Sequence, residues 1–90
     1  MGWTVILEDE KKKEIVALSD EFTLEEFNDN LKLLKYLDPF GDTVFNCLQM
    51  EDLVSDLLAI NTGRYEFDEL IGMSKRCKEE RHTYLVFYGD

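Results

Sequence analysis

The sequence predicts an α+β domain in the order β-β-α-α-α-β, with a three-stranded, mainly antiparallel sheet carrying its helices on one face. Three observations predict it. Two short runs of β-branched and aromatic residues, Trp3–Leu7 and Glu14–Leu18, flank a charged gap. The middle of the chain repeats leucine and phenylalanine at helical spacing, and Thr83–Tyr88 turns strand-like again. Ninety residues with 44% hydrophobic content suit one folded domain, which at this size buries roughly 60–65% of the surface of its unfolded chain.

The first two runs read as a β-hairpin with its loop near Asp9 to Lys12. Lys11, Lys12 and Lys13 are expected at the solvated tip. Thr23-Leu24-Glu25-Glu26 then matches the S/T-x-x-E capping box, with Phe22 and Phe27 at the two positions of a hydrophobic staple. The helix it opens sets Leu24, Phe27, Leu31, Leu34 and Leu37 on one face.

Asp38 and Pro39 should stop that helix, because proline disfavours α geometry in the residue before it. Gly41 supplies backbone freedom, and Asp42 or Thr43 is expected to cap a second helix, Thr43–Ile60. Steps of about 100° per residue put Val44, Cys47, Met50, Leu53, Val54, Leu57 and Leu58 on one broad side. Phe45 and Leu48 fall outside it, so the helix starts apolar almost all round and is expected to be deeply buried. Asn46 and Gln49, neutral and polar, are expected to hydrogen-bond the corner. After Asn61-Thr62-Gly63 a third helix, Tyr65–Glu80, lines up Phe67, Leu70, Ile71, Ser74 and Cys77, with acids at its start and bases at its end as the helix dipole favours. The last strand alternates Tyr84, Val86 and Tyr88 with Leu85 and Phe87, apolar on both faces. Trp3 and Tyr84 are expected partly exposed on the sheet face away from the helices.

Chemistry is sparse in the sequence. Cys47 and Cys77 lack CxxC or metal-ligand spacing and read as buried free thiols. His82 stands far from both cysteines, and the sequence shows no oxyanion site or orienting third group for a Cys–His nucleophile. Asp38 and Asp42 flank a glycine turn, too short a segment for a calcium loop. The expectation is therefore a non-enzymatic protein with no metal and no cofactor. A small enzyme using Asp38, Asp42 or His82 is the contrary possibility.

Charge is the dominant feature. Twenty acids against ten bases give a formal charge of -10, which repels nucleic acid and anionic membranes and attracts basic proteins. Between Glu14 and Glu69 carboxylates face a basic complement of Lys32, Lys35 and Arg64. Glu51, Asp52 and Asp56 are the candidate partner-binding residues on this acidic exterior, whereas Asp38, Pro39, Gly41, Asp42 and Asn46 build the corner. No basic leader or membrane-length apolar run is present, and a cytoplasmic location is expected.

The segment Asp38-Pro39-Phe40-Gly41-Asp42-Thr43-Val44-Phe45-Asn46, followed by Gln49, and the ending His82-Thr83-Tyr84-Leu85-Val86-Phe87-Tyr88-Gly89-Asp90 resemble a family of small bacterial proteins without an assigned activity. Some of these are similar to the immunity partners of secreted toxins. The resemblance covers about a quarter of the chain. It implies a bacterial source and a shared fold and carries over no catalytic site. The leading expectation is an immunity-type inhibitor of a basic toxin, acting as monomer or homodimer. A nucleic-acid mimic that occupies a DNA-binding protein, or a structural homodimer, is the alternative.

Overall fold

The computed structural model describes residues 2–23, 31–38, 40–60, 63 and 65–89. Its elements run β1 (Gly2–Asp9), β2 (Glu14–Ala17), β3 (Phe22–Thr23), β4 (Asp42–Asn46), α1 (Met50–Ile60), α2 (Tyr65–Glu79) and β5 (Thr83–Tyr88). The class is α+β, and the sheet is antiparallel in the order β2-β1-β5-β4, with β3 also beside β1. It has five strands rather than the three expected, and the described helices number two.

The hairpin closes without a glycine turn because Asp9 organises it. One carboxylate oxygen accepts the amides of Lys11 at 2.8 Å and Lys13 at 2.9 Å, and Lys12 takes a left-handed φ of 64°. The Lys13 amide is the main reason that the Asp9 carboxyl lies below its usual range. Between Leu7 and Glu8 the β1–β2 register slips at a bulge.

At the centre, β1 pairs β5 from Thr4↔Tyr88 to Asp9↔Thr83. Alternation then sorts the side chains. Trp3, Val5, Leu7, Leu85, Phe87 and Phe45 are buried on the face that carries the helices. Thr4, Ile6, Glu8, Tyr84, Val86, Tyr88, Asp42, Val44 and Asn46 share the opposite, open face by register. Phe22 joins the core edge-on to Phe67 and Phe87, each at 5.7 Å between ring centroids, and Phe45 meets Phe87 at 5.6 Å. Helix α2 buries Phe67, Leu70, Ile71, Ser74 and Cys77, the face its spacing predicts.

The corner corrects the expected succession of helices. Asp42–Asn46 is a strand, and α1 starts at Met50 after a 3₁₀ turn over Cys47–Gln49. What reads as a helix start apolar all round is the two faces of a strand, with Phe45 turned into the core and Val44 out. Asn46, rather than Asp42 or Thr43, is the cap: its side chain accepts the Leu48 amide at 3.0 Å, while Gln49 Oε1 accepts the Asn46 amide at 2.9 Å.

The first expected helix is also corrected where it is described. Leu31, Leu34 and Leu37 are buried as expected, but the chain there makes a single 3₁₀ turn over Leu34–Tyr36. Thr23, the expected cap, lies in β3 opposite Gly2, and residues 24–30 of the capping box, staple and helix fall outside the described residues. Trp3 is fully buried, against expectation, and its indole N–H donates to the Asp38 carbonyl at 2.9 Å. Tyr84 is half-buried on the open face, as expected.

Candidate functional site

Each carboxylate singled out in the sequence has a distinct place. Glu51 and Asp52 occupy the exposed first turn of α1. Asp52 lies 3.4 Å from Lys32 Nζ and Glu51 4.0 Å from Lys78 Nζ, and all four side chains are more than half exposed. Such pairs contribute about 0–1 kcal/mol and exchange readily for other cations.

Asp56 does not belong with them. It is 3% exposed, and its carboxylate accepts the backbone amides of Lys32 at 2.8 Å, Leu33 at 2.7 Å and Leu34 at 3.1 Å. In a continuous helix those amides would bond to carbonyls four residues back. Here Asp56 accepts them, and that role removes it from any docking face.

The corner residues act as a clamp. The Asp38 carboxylate accepts the Phe40 amide at 2.9 Å, its own amide donates to Thr43 Oγ1 at 3.3 Å, and its carbonyl holds Trp3. The Gly41 carbonyl accepts the Gly89 amide at 2.9 Å. A Cβ on Gly41 would stand 2.8 Å from Asp38 Oδ2, so a side chain there would push that carboxylate from its place. Asp42 is exposed on β4, Asn46 caps the 3₁₀ turn, and Pro39 lies outside the described residues.

Cys77 and His82 face different surroundings. Cys77 is buried with its Sγ 3.5 Å from Thr83 Oγ1, and burial pushes the thiol above its usual range. His82 is exposed, at φ 66°, with Nδ1 3.6 Å from Glu10. Both cysteines are free thiols, Cys47 half-buried rather than buried. Among the described residues no group of three or more His, Cys, Asp or Glu is placed to hold a metal ion. Among them also, no helix is long and apolar enough to cross a membrane.

Two carboxylate contacts reach partners distant in the chain, Ser19 for Glu69 and Tyr88 for Glu8, and so escape sequence reasoning. Glu69, in α2, accepts from the Tyr65 hydroxyl and from the amide and hydroxyl of Ser19. These donors, Tyr65 foremost, hold its carboxyl below the usual range. The contact fixes Ser19 against the start of α2, where Asp68 is exposed. On the open sheet face the Tyr88 hydroxyl bonds to Glu8. Tyr88 stands four positions along β5 from Glu8's register partner Tyr84, so the linked pair passes over Val86 and leaves it 4% exposed on an otherwise open face.

Two features stand out on the surface, acidic first turns on both helices and the outer edge of β4, where Val44 is exposed with Phe40 before the strand and Leu48 after it. A groove of about 240 Å³ crosses the open sheet face from Val44 past Tyr84 and Val86 to Glu8 and Lys12, and one of about 380 Å³ involves Asn46, Leu48, Arg81, His82 and Tyr84. No family model, curated protein or solved structure matches the chain.

Proposed function

We propose that the chain is a non-enzymatic protein-binding module whose acidic exterior docks a basic protein, most concretely an immunity-type inhibitor of a basic bacterial toxin. The observation that carries this reading is the state of the helix first turns. Glu51 and Asp52 on α1 and Asp68 on α2 remain at the surface, while Asp56 and Glu69 are committed to internal contacts. Lys32 and Lys78 neutralise Glu51 and Asp52 through long, exposed pairs that a partner's cations displace at little cost. Opposed potentials of this kind accelerate encounter and make binding dependent on salt.

The test is capture of partners by the tagged protein from a bacterial lysate at low salt, with elution by rising salt. A stoichiometric basic protein is expected. The variant E51K/D52K should then slow its association about ten-fold or more at low salt, with a smaller effect at high salt. Salt-insensitive binding with an unchanged association rate would remove the electrostatic basis of the reading.

A further inference from the structure

We propose that the outer edge of β4 pairs antiparallel with β4 of a second copy of this chain, about a two-fold axis at Val44, so that the two sheets become one. The proposal is independent of the acidic docking face.

The two edges of the sheet differ. At the β2 edge the strand has four residues, a bulge interrupts its pairing and three lysines follow one another at the hairpin tip, all devices that discourage strand addition. Among the described residues β4 pairs with β5 alone, has regular register over its whole length and carries one charge, Asp42.

The ladder shows which backbone groups the edge presents. The bond from the Gly89 amide to the Gly41 carbonyl makes 41/89 a hydrogen-bonded pair. Bonded and non-bonded pairs alternate along an antiparallel ladder, so residues 43 and 45 also address β5. The N–H and C=O groups of Asp42, Val44 and Asn46 therefore point to the open edge. The Asn46 amide is already taken by Gln49, in keeping with that direction.

The side chains then select the register. An axis at Val44 sets Val44 against its own copy and Asp42 against Asn46, and brings the turn that carries Phe40 toward the 3₁₀ turn that carries Leu48. Phe40 is 84%, Val44 56% and Leu48 88% exposed, so the matched apolar positions are those left uncovered. Asn46 Oδ1 is occupied by the Leu48 amide, which leaves its Nδ2 to donate to the opposing Asp42 carboxylate. Arg81 and His82 share a groove with Asn46 and Leu48, at the end where Asp38 and Asp42 of the second copy arrive. An axis at Thr43 would set Asp42 against Val44, and one at Asp42 would bring two carboxylates together.

Sedimentation over a range of concentrations at about 0.15 M salt tests the proposal. A reversible dimer is expected, tightening as salt rises from low values because each copy carries a formal charge of -10. Docking of a basic protein weakens over the same range, so failure of either idea is recognised separately. V44K places two lysines face to face and should weaken association about 100-fold. N46D keeps a capping side chain, makes two like-charge pairs by symmetry and should weaken it about ten-fold, and D42K/N46D should restore it. A monomer at every concentration, or a V44K protein that is folded by circular dichroism and dimerises like the parent, would overturn the pairing. An unchanged N46D dimer would overturn the register.

Discussion

Asp56 Oδ2 accepts the backbone amide of Leu33 at 2.7 Å, joining α1 to a segment that precedes it by more than twenty residues. With Lys32 and Leu34 also donating, one carboxylate holds the chain that leads into the Asp38 clamp. Hydrogen bonds to a charged acceptor contribute about 1.5–3 kcal/mol each, and amides left buried without partners add a penalty. D56A should therefore lose about 3–5 kcal/mol in urea unfolding. D56N, which keeps one carbonyl oxygen, should lose less. A D56A protein within about 1 kcal/mol of the parent would show that those amides find other acceptors.

Tyr88 should ionise late. Its hydrogen bond to Glu8 pushes it up to about 12 from 10.0, with burial and the charges of Glu8 and Asp42 acting in the same direction. The folded value lies above the unfolded one. The bond's contribution to stability is thus fully present below pH 10.0 and is lost as pH rises through about 12. In an alkaline absorbance titration, Y88F identifies the late phenolate, and E8Q should move it back toward 10.0. If E8Q leaves the late titration in place, Glu8 is not its cause.

Glu69 gives the opposite pH dependence. Its folded value lies below the ordinary 4.5, so its contribution is present above that value and lost as pH falls through the folded one. E69Q should be less stable than the parent at neutral pH, and the two should converge as pH falls through the lowered value of the folded state. Faster proteolysis within the Ser19–Glu21 loop of E69Q would be the local counterpart. A constant stability difference across that pH range would mean that Glu69 acts through packing rather than charge.

Elements governed by local periodicity were legible in the sequence. The hairpin, the buried face of α2 and the last strand follow from alternation or helical spacing within a few residues. The β4 segment was not, because Gly41-Asp42-Thr43 resembles a helix cap while Thr43-Val44-Phe45 suits a strand, and pairing with β5 decides between them. Asp56 did carry a signal. It stands three residues after Leu53 and beside Leu57, both fully buried, so its helical position already pointed inward. Acidity at the surface was legible as a total, but which carboxylates are engaged within the fold depended on partners such as Ser19 and Tyr88 that lie far away in the chain.

The β1–β5 ladder also governs when the protein can fold. Residues 4–9 sit beside residues 83–88, so β5 is inserted between two strands that the ribosome makes before it. Closing so long a loop must precede the contacts that compensate for it, which slows folding. A nascent chain that has not yet released Thr83–Tyr88 leaves β4 without its described neighbour and β1 with β2 and β3 alone. During that interval the Val44 edge, too, is displayed on a strand with no sheet behind it, which makes chaperone capture or premature pairing between neighbouring nascent chains a hazard of synthesis rather than of the finished fold.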